Sequence, residues 1–260
     1  MIKKEKNGVV WYEFEHMAKT GLVNHCFSTR IGGISKAPYD TMNLAYHMGD
    51  EKEAVNENFK RISAAVGFDS EKMAMTKQIH KAEVQTLSID DQVDSGMDGL
   101  ITTAAGLTLV SYYADCVPLL FLDPTKGVVA NTHAGWRGTS LNIAQSTVDK
   151  MVSEFGSQRE DILVGIGPCI SMDCFEVGAE VVDIFKRNLP QLGSHIKKKN
   201  SEKWHFDLTA MNRQLLMEAG ILPKNIEVAN LCTFSDPEHF FSHRRDNTAR
   251  GNMVAMIALN

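Results

Sequence analysis

The chain has 260 residues, 43% of them hydrophobic and 23% charged, with a formal net charge of −5 at pH 7. That length supports a substantial core, and the composition excludes a disordered chain or a membrane-spanning one. The acidic balance gives no global attraction to nucleic acid, and five scattered cysteines are too few for a disulfide framework.

The basic residues Lys3, Lys4 and Lys6 precede no apolar stretch of the kind a secretory signal needs, so a cytoplasmic location is expected. The first candidate cluster is Ser28-Thr29-Arg30-Ile31-Gly32-Gly33-Ile34-Ser35, which either meets an anion, its glycines permitting close backbone approach and its arginine offering paired donors, or is a glycine-rich turn with ordinary surface charge. A short strand-like segment then ends at Gln78-Ile79-His80. Apolar runs at 107–112, 117–122 and 128–132 read as core strands, the last two forming an antiparallel hairpin around Pro124 and Gly127. Residues 141–155 have helical spacing and stop at Gly156. Strand character resumes at 162–166, followed by the tight loop Gly165-Ile166-Gly167-Pro168-Cys169. Residues 177–185 and 208–219 read as amphipathic helices, the second started by Asp207 or Thr209 and ended by Gly220. Strands are expected at 226–231 and 253–259. Lys197-Lys198-Lys199 reads as a solvated loop, and the methionines as core filler. Strands and helices alternate without a linker or repeat, which predicts one α/β domain over 1–260 with a mixed sheet flanked by helices. No segment specifies an oligomeric state.

Chemistry concentrates where a strand is expected to become a helix, at Ala130-Asn131-Thr132-His133-Ala134-Gly135-Trp136-Arg137-Gly138. His133, Cys116 in Ala114-Asp115-Cys116-Val117-Pro118, and His80 occupy comparable strand-to-loop junctions and form a candidate metal triad. Catalytic zinc commonly takes three protein ligands and leaves a fourth position for water, whose pKa falls toward about 7. Taken singly, Cys116 also reads as a small core residue and each histidine as a hydrogen-bonded structural one. Asp115 either caps a turn or acts in the site as an orienting group or base. Arg137 could meet an anionic substrate beside the free N–H groups of a helix start, or serve in packing. A second basic cluster, Ser242-His243-Arg244-Arg245-Asp246 with Arg250, lies near the end. Neither arginine cluster is a P-loop, and nothing in the sequence activates Cys169 as a nucleophile.

These segments, with Asn43-Leu44, His47, Gly49-Asp50 and Gly167-Pro168-Cys169-Ile170, resemble the bacterial polyphenol-oxidase or laccase-domain family, whose members are now read as purine nucleoside phosphorylases. The resemblance implies a single α/β domain of laccase-domain, cysteine-hydrolase-like fold. It also implies zinc at His80, Cys116 and His133, with purine nucleoside and phosphate as the partners. The implied reaction is phosphorolysis of adenosine, inosine or guanosine to base and ribose 1-phosphate, accompanied by phosphorolysis of methylthioadenosine and deamination of adenosine. The chain departs from the family pattern at His243, where a tyrosine is common, and at Asn247, where glycine is usual. For such a reaction Asp115, Cys116 and Arg137 are the candidate catalytic residues, and Arg30, Arg137 and Arg245 the candidate phosphate or ribose contacts. The rival readings are a phenol oxidase that holds Cu2+ through the same ligands and a non-enzymatic partner-binding protein stapled by its metal.

Overall fold

A computed structural model describes residues 1–260. The first part of the chain forms β1 (Ile2–Lys6), β2 (Val9–Glu13), α1 (Glu15–Ala18), β3 (Val23–Ser28) and α2 (Lys52–Val66). The centre forms β4 (Met73–Met75), β5 (Val84–Leu87), β6 (Gly99–Thr102), β7 (Thr108–Tyr113), β8 (Val117–Asp123), β9 (Val128–Ala134), α3 (Trp136–Ser140), α4 (Ile143–Phe155) and β10 (Leu163–Ile166). The remainder forms β11 (Glu176–Gly178), α5 (Ala179–Asn188), β12 (Ile196–Lys198), β13 (Lys203–Phe206), α6 (Leu208–Glu218), β14 (Ile226–Val228), α7 (His243–Asp246) and β15 (Met253–Leu259). No helix is long and apolar enough to cross a membrane.

The mixed sheet expected from the sequence is a pair of six-stranded sheets, ordered β1-β2-β3-β15-β7-β4 and β14-β10-β8-β9-β6-β5, with a small β11-β13-β12 sheet beside them. Alternate side chains explain the pairing. On β8, Leu120 and Leu122 join Leu109 of β7 and Ile257 of β15 in a core between the two sheets. Leu119 and Phe121 point the other way, into a core with Val148 of α4, Phe185 of α5 and Leu215 of α6. Val110 and Met256, on the outer face of the first sheet, pack with Val55, Phe59 and Ile62 of α2. The order of layers is therefore helix, sheet, sheet, helices, and strands buried on both faces read as unbroken apolar runs.

Helix ends follow local chemistry. Asn142, in the left-handed region at φ 56°, separates α3 from α4 and caps α4 by accepting from the Gln145 N–H; Gly156 at φ 66° stops it. The helix expected from residue 177 starts two residues later, because Val177 pairs with Trp204 in the small sheet. The strand expected over 226–231 ends at Val228.

One polar residue joins the two sheets. The Asn131 side chain, fully buried on β9, donates to the carbonyl oxygens of Leu109 (3.0 Å) and Ala255 (2.7 Å) and accepts from the Ser111 hydroxyl. Tyr113 adds a bond from its hydroxyl to the Thr132 carbonyl at 3.1 Å. We expect Asn131→Leu to lose about 1–3 kcal/mol, because it strips these bonds without emptying the space; urea unfolding measures this.

Candidate metal centre and active site

The ends of β4, β7 and β9 and the starts of β6, β8 and β15 lie at one end of the sheet pair. In the β8–β9 hairpin, Val117 faces Ala134 and Pro118 faces His133, a register that carries Cys116 alongside Gly135. A Cβ on Gly135 would lie 3.0 Å from the His80 ring, 3.2 Å from Cys116 Sγ and 3.4 Å from the His133 ring, so only glycine leaves room for all three. His80 arrives from the loop after β4. The ligand atoms of His80, Cys116 and His133 all lie within 4.8 Å of one another, and the two imidazoles meet edge to face.

What holds this triangle is Asp98, at the entrance to β6. Its carboxylate is completely buried and accepts the backbone N–H groups of Ile79 (3.1 Å), His80 (3.0 Å) and Lys81 (2.9 Å). It also meets His133 Nδ1 at 2.9 Å, while the Asp98 carbonyl accepts the His133 N–H at 2.7 Å. One carboxylate thus shapes the His80 loop, in which His80 itself sits at φ 61°, and turns the other nitrogen of His133 toward Cys116. Burial acts to raise the Asp98 pKa, but the His133 and backbone hydrogen bonds win and hold it below the usual carboxylate range.

Burial likewise opposes ionisation of Cys116, yet His133 and His80, through charge and hydrogen bonding, bring the thiol down to about 6. For His133, burial favours the neutral ring, and the Cys116 and Asp98 charges overcome it, raising its pKa to about 9. Cys116 is thus poised as a thiolate, the form that binds metal. A thiolate, two imidazoles and a carboxylate behind one of them make a donor set that suits a tetrahedral dication with one position left to the solvent side.

Two clefts meet at this triangle. The first, of about 490 Å³, runs past Trp136, Ile170, Phe175 and Leu208; the second, of about 650 Å³, past His47, Lys77, Tyr112 and Arg250. His80, Ala114, Cys116 and His243 border both.

The remaining sequence candidates divide. Asp115, at φ 93°, accepts from Thr233 Oγ1 (2.7 Å), Ser242 Oγ (3.0 Å) and the Arg244 N–H (2.6 Å), so its carboxylate ties the C-terminal loops to the residue before Cys116. Arg137 lines the first cleft, its guanidinium stacked 4.2 Å from the Trp136 ring. The helix it belongs to has five residues; its dipole adds little, and recognition of charge falls to side chains. Arg30 and Arg245 border neither cleft. Arg30 binds Asp40 and the Pro237 carbonyl and covers the Phe241 ring, while Arg245 binds Asp246 and the carbonyls of Thr233, Phe234 and Phe240. Both pin loops, because backbone carbonyls take up their donors. Arg244 and Arg250 reach the clefts instead.

Asp98 escaped the sequence reading. Its signal is an acidic residue between Gly96 and Gly99 at the mouth of a fully buried strand, where an unpaired charge is not tolerated. His47 and Arg250 were visible only as parts of motifs.

Residues 24–260 match the model of the family described as multi-copper polyphenol oxidoreductase laccase. The chain belongs to that family. It is 34% identical to a purine nucleoside phosphorylase of Bacteroides thetaiotaomicron over 261 residues, covering 95% of each chain. It is 37% identical to a mouse purine nucleoside phosphorylase over 242 residues, covering 90% of this chain but only 55% of the mouse protein. Among solved structures, YlmD from Geobacillus stearothermophilus superposes with a TM-score of 0.92 at 32% identity, over 99% of this chain and 98% of that one. A family member's fold is thus present almost throughout, and the three residues that the sequence motifs singled out as ligands are the three that the fold brings together.

Asp98→Asn should weaken metal binding at the triangle by about 10–100-fold, since an amide nitrogen cannot accept the loop N–H groups. Competition with a chromophoric chelator measures it, and an unchanged affinity would refute the role.

Proposed function

We propose that this protein is a zinc-dependent purine nucleoside phosphorylase, cleaving adenosine, inosine or guanosine with phosphate to base and ribose 1-phosphate. The observation that carries the reading is the His80-Cys116-His133 triangle standing at the junction of two clefts, in a chain whose relatives are named purine nucleoside phosphorylases. Phosphorolysis of methylthioadenosine and deamination of adenosine are accessory activities in this reading.

In phosphorolysis a phosphate oxygen bonds to C1′ of the ribose as the bond from C1′ to the purine nitrogen breaks; the electron pair leaves with the base, which takes up a proton. The first cleft suits the purine, being lined by the aromatic Trp136 and Phe175 and the apolar Ile170 and Leu208. Arg137, held over Trp136, is placed to contact charge or hydroxyl groups on the nucleoside. Asp115, the residue before Cys116, accepts the Arg244 N–H and so ties Arg244 to the same cleft. A bound zinc would supply Lewis-acid polarisation where the clefts meet, held by Cys116 as thiolate with His80 and His133. These donors also accept copper, but a multicopper oxidase needs several metal sites, and the fold assembles one group of three ligands.

Purified protein should release hypoxanthine from inosine only when phosphate is present, with an equal yield of ribose 1-phosphate. Equal release without phosphate would mark a hydrolase. Cys116→Ala should lower kcat about a hundredfold or more with little change in Tm, whereas collapse of the fold would mean a structural ion. Metal analysis should find stoichiometric zinc in a protein that does not oxidise phenols.

A further inference from the structure

The two clefts differ in charge. Glu176, Glu180 and Asp115 line the first among its cations, whereas the second has no carboxylate on its walls. What it has instead are the cations Arg250 and Lys77 and the imidazoles His47 and His243, around a cavity of about 650 Å³.

Arg250 is the decisive member. It is half-buried, forms no ion pair, and spends its donors on the Gly251 carbonyl and the Asn252 side chain, with the His243 ring at 3.4 Å; its Nε has no partner. Desolvation pulls its pKa down, against the more distant charges of Asp115, Cys116 and Asp246. A guanidinium desolvated without a carboxylate is costly, and an anion in the cleft removes that cost. Lys77 is likewise held only by a carbonyl, that of Val93 at 2.7 Å. The cleft also ends in the right place, since His243, Ala114 and Cys116 are shared with the apolar cleft, so ligands in the two clefts would meet at the triangle.

We propose that this second cleft is the inorganic phosphate subsite, with Arg250 its principal anchor, and that phosphate approaches the ribose from the Arg250 and His243 side. The proposal rests on the phosphorylase reading for its role in turnover, but phosphate binding itself does not depend on that reading. It moves the anion clamp from Arg30 and Arg245, whose donors are spent elsewhere, to Arg250.

The experiment has two arms. Titration calorimetry of the zinc-loaded protein with inorganic phosphate alone should detect binding, weakened about 10-fold or more in Arg250→Met and measurably in Lys77→Met. Steady-state kinetics with inosine should show the KM for phosphate rising about 10–100-fold in Arg250→Met, with the KM for inosine within about twofold of wild type. Circular dichroism and zinc content check the fold, and Lys77→Met carries the test if Arg250→Met does not fold. Phosphate binding lost in the variants supports the subsite even if inosine is never cleaved, in which case the phosphorylase reading alone fails. Phosphate-dependent cleavage with phosphate binding and KM unchanged in both variants overturns the subsite and leaves that reading standing.

Discussion

A fully buried carboxylate with four N–H groups aimed at it is the interaction from which the rest of the site descends. Asp98 could not stay ionised in that position without them, and the groups that satisfy it are the loop bearing one metal ligand and the ring of another. The same carboxylate that tightens the His80 loop fixes the orientation of His133, so the two imidazoles are not placed independently. Cys116 then needs only the register of a hairpin to complete the triangle.

The layered architecture supplies the rigidity on which this depends. Both faces of each large sheet are covered, one by the other sheet and one by helices, so the strand ends that carry the site cannot shift without disturbing two cores at once. Two buried polar side chains join separate pieces of those layers. Asn131 links the two sheets through the carbonyls of Leu109 and Ala255. Asp115 draws Thr233, Ser242 and Arg244 toward the start of β8, which brings the C-terminal loops over the clefts. The geometry of the site is therefore a property of the whole sandwich, and the loops around it are tied down by buried carboxylates.

The arginines separate composition from placement. Arg30, Arg137, Arg244, Arg245 and Arg250 look alike in the sequence, each beside glycines or other polar residues able to meet an anion. In the fold, Arg30 and Arg245 find carbonyls close at hand and become internal braces. Arg137 lies along Trp136, and Arg250 enters a cleft without a carboxylate. A guanidinium carries five donors and goes wherever acceptors saturate them, so its role depends on neighbours that the linear order does not reveal.

Local order was written plainly in parts of the chain. The apolar runs that became β7, β8, β9 and β15, the turn between β8 and β9, and the Gly156 and Gly220 ends of α4 and α6 follow from side-chain period and backbone freedom alone. The chemistry of Cys116, His80 and His133 was equally legible, because thiol and imidazole at strand ends are an unusual combination. By contrast, β1 and α2 are not legible in the sequence, their apolar positions being interspersed with charge. Nor is the pairing of two sheets, since a strand buried on both faces has the same sequence whether a sheet or a helix covers it. The sequence by itself determined which residues could bind a metal and where strands turn into loops, for those depend on side-chain chemistry and neighbours a few positions away. Only the tertiary structure decided that Asp98 holds the ligands together and that Arg250, not Arg30 or Arg245, reaches the open cleft, because hydrogen bonds and desolvation are set by groups distant in the chain.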